Sequence, residues 1–298
     1  MSRILFTGIM PALVTPVDED GKLRQEVARR LVRDLGETGI TGYYILGGTG
    51  EGVTFDAQTR MEFAELVVSC APKGLNVINH IAAADLSTVK RLAAHSRKIG
   101  CHGLSSVPPF FYRYDERGIL DYYRAMSDAS EGLAMFIYAS PLAGAPLPVQ
   151  TVEKMLDIPG FVGMKYTNTD YYAMSRYKKL AGGDINVING PDETLLLGLM
   201  MGADGGIGST YNIMPKTYVG IYDAWKRGDV QEALRLQMRA NEVIELLLRY
   251  DVISAVKHAL TLRGYDIGDS NRPRPTMTPD EKQALTDALR AISFPEGY

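Results

Sequence analysis

The chain is poor in the residues that support disulfide, metal and nucleic-acid chemistry. Among its 298 residues are two cysteines, Cys70 and Cys101, which imply no disulfide framework and fit a reducing cytoplasm. Four histidines are scattered at positions 80, 95, 102 and 258 without metal-ligand spacing, which favours structural roles. No Lys/Arg-rich run is present and the net charge is −3, so nothing favours nucleic acid or a membrane surface as partner.

Long apolar runs are also missing. No stretch reaches the roughly 18 consecutive apolar residues of a membrane span. Residues 1–6, Met-Ser-Arg-Ile-Leu-Phe, have no apolar core of the signal-peptide kind. The hydrophobic content of 46% and charged content of 22% instead fit one large globular domain or two small ones. We therefore expect a cytoplasmic protein with no membrane segment.

Short apolar runs alternate with amphipathic runs along most of the chain. Residues 25–37 place Val27, Leu31 and Leu35 on one helical face, and 58–69, 86–99 and 119–129 behave alike. Such alternation favours a parallel sheet with crossover helices. The candidate strands are residues 8–15, 42–46, 76–81, 103–107, 133–138, 161–167, 185–189 and 205–209.

Eight such units predict an α/β fold, a closed (β/α)8 TIM barrel. A doubly wound sheet is the alternative, but no Gly-x-Gly-x-x-Gly turn follows the first candidate strand. Helical patterns near 230–249, 251–263 and 279–292 exceed what the barrel needs, and Thr278 before Pro279 is a good helix start. We predict a barrel over residues 1–225 and a helical extension packed on it over residues 226–298.

Lys165 stands in residues 161–167, Phe-Val-Gly-Met-Lys-Tyr-Thr, a run that otherwise reads as a buried strand. Burial disfavours the charged form of a lysine, and a free amine attacks carbonyl groups to form a Schiff base. Tyr138 ends the preceding apolar run and could transfer the protons that this chemistry needs. The alternative is a lysine whose stem packs at a strand end while its ammonium group stays in water.

Glycine and polar residues fall repeatedly at the predicted C-terminal ends of strands, where barrels of this kind form their sites. Gly47, Gly48, Thr49 and Gly50 end the second candidate strand and precede a helix. Their N–H groups and the threonine hydroxyl predict a small anion cradle suited to the carboxylate of a 2-oxo acid. A tight turn is the alternative, because it uses the same residues.

Residues 205–209, Gly-Gly-Ile-Gly-Ser, lie where many barrels bind phosphate, but Asp192 and Glu193 are expected on the adjoining loop. Two carboxylates would repel a phosphate and could accept hydrogen bonds from a polyol. The pattern therefore favours an unphosphorylated sugar acid. The alternative is that both acids stabilise the first turn of a helix predicted at 194–200.

Together these pieces resemble the N-acetylneuraminate lyase / dihydrodipicolinate synthase family of class I aldolase-like enzymes, and the lyase branch most closely. The resemblance covers nearly all of the chain. The motifs that carry it are Gly48-Thr49-Gly50-Glu51, Tyr138-Ala139-Ser140-Pro141, Gly163-Met164-Lys165-Tyr166-Thr167, Gly190-Pro191-Asp192-Glu193 and Gly202-Ala203-Asp204-Gly205-Gly206-Ile207-Gly208-Ser209.

The resemblance implies that Lys165 forms an imine with pyruvate or a pyruvate-derived acid, that Tyr138 transfers protons, and that Gly48 and Thr49 hold the carboxylate. It implies retro-aldol cleavage of a 2-oxo-3-deoxy sugar acid, with N-acetylneuraminate the leading substrate, to pyruvate and N-acetylmannosamine. No metal or organic cofactor is needed, since the lysine supplies the electrophile. The residues that match sugar contacts of the lyase branch are Thr167, Gly190, Asp192, Glu193 and Ser209.

Three positions depart from the family pattern. Gly48 stands where members commonly carry a hydroxyl residue. Phe111, beside Tyr112, stands where they carry a tyrosine that reaches the neighbouring subunit's site. Residues 142–145, Leu-Ala-Gly-Ala, lack the arginine with which dihydrodipicolinate synthases grip a second carboxylate. This last absence argues against the synthase reaction.

The residues leave other functions open. The same imine could drive loss of a hydroxyl group, which would make the protein a dehydratase, or it could serve an aldolase of another 2-oxo-3-deoxy acid. Gly48 and Phe111 could also mark a non-catalytic protein that binds sugar acids. By resemblance we expect a homotetramer built from two dimers, with a small 2-oxo acid as substrate and neither nucleic acid nor membrane as partner.

Overall fold

A computed structural model describes residues 2–144 and 146–294 of the chain, apart from the side chain of Leu142. Its strands are β1 (Gly8–Pro11), β2 (Gly42–Ile45), β3 (Asn76–His80), β4 (Gly103–Ser106), β5 (Met135–Ala139), β6 (Phe161–Tyr166), β7 (Asn186–Asn189) and β8 (Gly205–Gly208). They pair in parallel in the order β1-β8-β7-β6-β5-β4-β3-β2, and a bridge between Ala12 and Tyr44 joins the first strand to the second. The predicted (β/α)8 barrel is confirmed.

One α-helix follows each strand, and three more complete the described chain. The helices are α1 (Gln25–Gly36), α2 (Ala57–Cys70), α3 (Leu86–Ile99), α4 (Glu116–Ala129), α5 (Val149–Met155), α6 (Tyr171–Lys178), α7 (Leu195–Met200), α8 (Pro215–Lys226), α9 (Val230–Leu247), α10 (Val252–Leu262) and α11 (Pro279–Ala291). This strict alternation places all eight strand C-termini at one end of the barrel.

Apolar side chains fill two separate layers. The larger layer lies between the strands and the surrounding helices, and the smaller one fills the barrel interior. Both faces of each strand are therefore buried, which explains why the strands read as nearly continuous apolar runs. The interior layer comprises Phe6, Met10, Ala12, Tyr44, Ile78, Phe136, Val162, Ile188 and Ile207.

Two strands differ from the prediction by more than one terminal residue. β1 ends at Pro11 rather than at residue 15. Ala12 and Leu13 still donate to the strand residues Gly208 and Tyr44, but the next two bond outside the sheet, and the Thr15 hydroxyl donates to Gly50 O at 2.7 Å. β5 covers Met135–Ala139, so Tyr138 is its penultimate residue rather than its end. In a parallel sheet, an apolar run shows which residues are buried on both faces. Only part of such a run forms the hydrogen bonds that define the strand, so the observed strand ends differ from the ends of the run.

Periodicity misses the helices α5, α6 and α8. The first two have seven and eight residues, too few for an i, i+4 repeat to stand out. The third begins with Pro215 at its first position. Proline there favours a helix start, but the spacing of apolar residues does not reveal it. The predicted start of the last helix is confirmed: the Thr278 hydroxyl accepts from Glu281 N–H and the Glu281 carboxylate bonds back to Thr278 N–H.

The helices α9, α10 and α11 lie beyond the eight that belong to the barrel, and α9 packs along α8. The predicted boundary after residue 225 falls within one residue of the end of α8 at Lys226. The division into two units stays a prediction, and Met1 and residues 295–298 of those units lie outside the described residues. Within the described ranges, no helix has the length and apolar content needed to cross a membrane.

Candidate active site

Lys165 is buried at the C-terminal end of the barrel. It is the penultimate residue of β6, pairs in register with Tyr138 of β5, and is 5% exposed. Its Nζ lies 4.4 Å from the ring centroid of Tyr138 and 4.4 Å from that of Tyr44. An amine held between two aromatic faces is oriented by cation–π attraction and shielded from water. The alternative of an ammonium group standing in bulk water does not match this geometry.

An aromatic wall of Tyr44, His80 and Tyr138 surrounds the amine. The Tyr138 ring meets the other two edge to face, at centroid distances of 6.0 Å from Tyr44 and 5.7 Å from His80. Burial lowers the pKa of His80 to about 3, with further contributions from the charges of Arg60 and Lys165. His80 is therefore neutral, and its Nδ1–H donates to Leu46 O at 3.1 Å. The wall adds no charge beside the lysine.

A glycine-rich turn after β2 covers the phenol of Tyr138. A Cβ added at Gly48 would lie 3.8 Å from the Tyr138 hydroxyl oxygen, so the turn and the phenol are neighbours. A Cβ at Gly52 would lie 1.9 Å from Leu46 O, which explains why the turn needs glycine there. In the described part of the chain, the N–H groups of Gly48, Thr49 and Gly50 donate to no carbonyl group. They can therefore receive an anion.

Two contacts bring the β6, β7 and β8 ends together on the other side of the lysine. A Cβ at Gly190 would lie 2.0 Å from Thr167 Oγ1, so only glycine fits there. Asp192 Oδ2 accepts from the backbone N–H of Thr210 at 2.7 Å, from the Thr210 hydroxyl at 2.6 Å and from the Ser209 hydroxyl at 3.3 Å. The Thr167 hydroxyl is buried and has no hydrogen-bond partner among the described residues.

Asp192 is a buried carboxyl group whose pKa lies well above the usual value for an aspartate. Burial raises its pKa to about 6, while the hydrogen bonds from Thr210 and the charge of Lys165 act in the opposite direction. Glu193, the next residue, is exposed. Asp192 precedes α7 in a short 3-10 turn rather than lying in the helix. A role in stabilising the following helix does not explain why its carboxylate bonds to Ser209 and Thr210 after β8.

The structure brings most of the predicted site residues to the same end of the barrel. Lys165, Tyr138 and Gly48 form one contiguous group, with Thr49 buried in the turn beside them. The charge of Lys165 acts on Asp192, which links this group to the opposite side. The members of that opposite group are Thr167, Gly190, Asp192 and Ser209.

Two of the departures from the family pattern lie in the loop after β4 and in the segment after β5. Phe111 is 88% exposed with φ +80°, and Tyr112 is 71% exposed, so neither ring lines the site of its own chain. The two rings stack edge to face at 5.0 Å. In the segment 142–145, Ala145 and the side chain of Leu142 lie outside what the structure describes.

Sequence reasoning gave no role to Tyr44, His80 or the partners of Glu51. Tyr44 and His80 occupy the ends of β2 and β3, the same level at which Lys165 stands in β6. Position at a strand end was a usable signal for both. Glu51, within the turn motif, pairs with Lys257 of α10 at 2.6 Å. The two residues are 206 positions apart in the sequence, so no local pattern predicts their contact.

Comparison with known proteins is consistent across sequence and structure. A model of the Dihydrodipicolinate synthetase family matches residues 5–292. A protein named N-acetylneuraminate lyase from Citrobacter koseri is 39% identical over 254 residues, 85% of this chain and 85% of its own. A protein of the same name from Salmonella agona is 38% identical over 288 residues, 96% of this chain and 95% of its own.

Solved structures show the same likeness. The N-acetylneuraminate lyase of Proteus mirabilis superposes with a TM-score of 0.90 at 28% identity, covering 97% of this chain and 99% of that one. The sialic acid aldolase of Ruminococcus gnavus, solved as a catalytic lysine mutant, has a TM-score of 0.92 at 26% identity, with 97% and 96% covered. From the family match over almost its entire length and from these relatives, the chain belongs to the dihydrodipicolinate synthetase family.

Proposed function

We propose that this protein is a class I carbon–carbon lyase that cleaves N-acetylneuraminate to pyruvate and N-acetylmannosamine. The observation that carries the proposal is the buried Lys165 amine, 4.4 Å from the Tyr138 ring and facing a turn with free N–H groups. Relatives at 37–39% identity that span most of the chain carry the name N-acetylneuraminate lyase. Both lines of support concern the same reaction class.

The proposed reaction begins when the Lys165 amine adds to the C2 ketone and water leaves, which forms an iminium ion. Tyr138 oxygen then takes the proton of the C4 hydroxyl, with its own proton passed to the substrate carboxylate. The C3–C4 bond breaks, its electron pair moves into the iminium ion to form an enamine, and the aldehyde leaves. Protonation of the enamine at C3 and addition of water release pyruvate and free Lys165.

The other residues have binding roles in this proposal. The N–H groups of Gly48 and Thr49 face the carboxylate, which fixes the ketone over the amine. On the opposite side, Thr167, Gly190, Asp192, Glu193 and Ser209 face the polyol portion of the sugar. The unpartnered Thr167 hydroxyl supports this placement, since a buried hydroxyl is stabilised by a hydrogen-bond partner.

Covalent trapping tests the proposal. Pyruvate with sodium cyanoborohydride is expected to add the mass of a reduced imine to Lys165, located by peptide mass spectrometry. Lys165→Ala is expected to abolish both trapping and pyruvate release. Tyr138→Phe keeps the amine and removes the phenol, so it should retain trapping while cleavage falls about 10²- to 10⁴-fold. A Lys165→Ala protein with full turnover would rule the mechanism out.

Product analysis separates the lyase from its nearest alternatives. Pyruvate plus an aldehyde identifies cleavage, whereas a new keto acid without pyruvate identifies a dehydratase. A panel of sialic and hexonic 2-oxo acids would show which sugar portion is accepted. Tight binding across that panel without any turnover would identify a sugar-acid binding protein instead.

We also propose a homotetramer, built from two dimers, working in the cytoplasm. The tetramer is supported by apolar side chains that are exposed in the single chain. Phe111 and Tyr112 are largely exposed on the loop after β4, and a second exposed group lies on two adjacent helices. That second group consists of Leu197, Met200 and Met201 at α7 with Leu234 and Met238 of α9. Exposed apolar side chains grouped on neighbouring helices favour contact with another copy of the chain.

A further inference from the structure

A buried ion pair connects the turn after β2 with the C-terminal helices. Glu51 Oε1 lies 2.6 Å from Lys257 Nζ, and the two side chains are 0% and 1% exposed. Glu51 adopts a left-handed backbone conformation, with φ +54° and ψ +26°, which is strained for a residue other than glycine. A fully buried pair at a strained position calls for a reason other than stability, because such pairs are weakly stabilising.

The rest of the network converges on the same carboxylate. The backbone N–H of Asn271 donates to Glu51 Oε2 at 2.7 Å, and Arg274 Nε stands 3.7 Å from that oxygen. Lys257 also donates to Asp269 O at 2.9 Å. Every one of these partners belongs to the C-terminal extension, while Glu51 belongs to the barrel. The extension therefore holds the turn at the Glu51 carboxylate, and the Asn271 amide adds bonds to Thr54 just beyond it.

The turn gripped in this way is the one that faces the amine. Glu51 N–H donates to Gly48 O at 3.1 Å, and the next residue, Gly52, donates its N–H to Gly47 O at 3.3 Å. The position of Glu51 therefore fixes the peptide groups that carry the Gly48 and Thr49 N–H groups. The Thr15 hydroxyl holds the turn from the opposite side by donating to Gly50 O at 2.7 Å. A shift of Glu51 would thus rotate the N–H groups that meet the substrate carboxylate.

We propose that Lys257 is a positioning residue, which orients the carboxylate-binding turn through Glu51 and makes the C-terminal extension part of substrate recognition. Arg274, which is partly exposed, supports the Glu51 carboxylate as well. The inference rests on the proposed function, because it assigns the turn at Gly48 and Thr49 to a carboxylate. Lys257 itself touches no substrate and takes no part in imine chemistry.

Two probes that differ only in charge test this role. Pyruvate and its neutral ester methyl pyruvate carry the same ketone, so the ratio of their cyanoborohydride-trapping rates at Lys165 measures recognition of the carboxylate alone. The protein without substitutions is expected to favour pyruvate. In Lys257→Met the ratio should fall about tenfold, the loss expected when a charge-assisted hydrogen bond is weakened. Methyl pyruvate trapping should stay within about twofold.

Three further variants make the test independent of folding. Arg274→Met removes a partly exposed charge and should lower the ratio in the same direction by a smaller factor. Lys257→Arg keeps the charge and should recover part of the preference. Lys178→Met is the matched control: Lys178 pairs with Asp204 at 2.8 Å, 19% and 12% exposed, at the opposite end of the barrel. Its loss should lower stability and leave the ratio unchanged.

The possible results separate this inference from the proposed function. If the protein without substitutions traps no pyruvate at Lys165, the proposed function fails and this inference with it. If it traps pyruvate but Lys257→Met and Arg274→Met keep the ratio within about twofold, only the positioning role is overturned. An equal fall with both probes in Lys257→Met would also overturn it, since that pattern reflects general damage around the amine.

Discussion

At the residue scale, the site holds one buried amine between aromatic rings. Aromatic rings flank the Lys165 nitrogen, and the neighbouring histidine is kept neutral by burial. The Asp192 carboxyl is buried across the site with its pKa raised to about 6, so it is largely protonated below that pH and largely a carboxylate at pH 7. Burial and the two aromatic faces shield the amine from water. Gly48 and Asp192 are the residues at which this arrangement is most easily tested.

Gly48→Ser should raise kcat/KM for cleavage. The space beside Gly48 admits a Cβ 3.8 Å from the Tyr138 oxygen, so a serine hydroxyl can reach the phenol and support its proton transfer. We expect an increase of up to about tenfold, the value of one added hydrogen bond. Gly48→Ala is the matched control, since it adds the Cβ without the hydroxyl. Equal kcat/KM values for the serine and alanine variants would show that a hydroxyl group at position 48 does not support proton transfer by Tyr138.

Asp192→Asn should alter how stability depends on pH. Folded Asp192 binds its proton more tightly than the unfolded chain, since its pKa is about 6 rather than 3.8. Its stabilising contribution is therefore complete below about pH 4 and disappears as the pH rises through about 6. At 1.36 kcal/mol per pKa unit, the effect is ~3 kcal/mol.

Urea unfolding at pH 4, 5, 6 and 7 measures this contribution as the difference between the unsubstituted protein and Asp192→Asn. The unsubstituted protein should lose stability relative to the variant as the pH rises. Glu193→Gln, which removes the exposed neighbouring charge, is the control and should change the profile much less, because that charge is only a minor cause of the raised pKa of Asp192. Parallel profiles for the unsubstituted protein and Asp192→Asn would contradict the raised pKa.

At the element scale, the site residues come from the ends of β2, β3, β5 and β6 and from the loops that follow β2, β7 and β8. The register between β5 and β6 pairs Tyr138 with Lys165 directly, and this pairing is what brings the phenol to the amine. The glycines at the ends of β2, β7 and β8 serve close approach, as at Gly52 and Gly190. Elements far from the strand ends, such as α11, serve stability without shaping the site.

Thr278→Ala should lower the free energy of unfolding by about 1 kcal/mol, the usual effect of losing an N-cap hydroxyl. The hydroxyl accepts from Glu281 N–H, and together they form the capping box of α11. Equilibrium unfolding in urea measures the loss, while kcat/KM should not change because the helix contributes nothing to the strand ends. Thr278→Ser keeps the hydroxyl and should remain close to the unsubstituted protein. A large kinetic effect in Thr278→Ala would contradict this separation.

At the scale of the whole molecule, the barrel and the C-terminal helices act together. The Glu51–Lys257 pair crosses between them, and Gln237 of α9 bonds to Asp192 O at 3.1 Å and to Leu196 N–H at 3.1 Å. The extension thus supports both sides of the site from outside. Several apolar side chains of the extension, among them Leu234 and Met238, are exposed in the single chain.

Met238→Asp should divide the proposed tetramer into smaller assemblies. Met238 is 51% exposed on α9 within the apolar group shared with α7, and a carboxylate there would be desolvated on contact with another subunit. Light scattering should give four chains of 32.8 kDa for the unsubstituted protein and fewer for the variant. Leu248→Asp, at an exposed residue outside that group, is the control. A monomeric unsubstituted protein at micromolar concentration would contradict the tetramer.

The amino-acid sequence by itself determined the barrel, its eight strands and the residues at their ends. Alternation of apolar and amphipathic runs is a local property, and so are the glycine turn after residue 46 and the Thr278 cap. A lysine in an apolar run is likewise visible without coordinates. These features follow from chemistry within a few residues, which is why their positions were predictable to within about a turn.

Only the tertiary structure decided which side chains meet. Strand register set Tyr138 against Lys165, close approach fixed the glycines beside Leu46 and Thr167, and chain folding joined Glu51 to Lys257. Contacts of this kind depend on distances between elements far apart in sequence, and many residue types could occupy either side. The environment of the amine is therefore a property of packing, since burial and neighbouring rings are defined only once the barrel has closed.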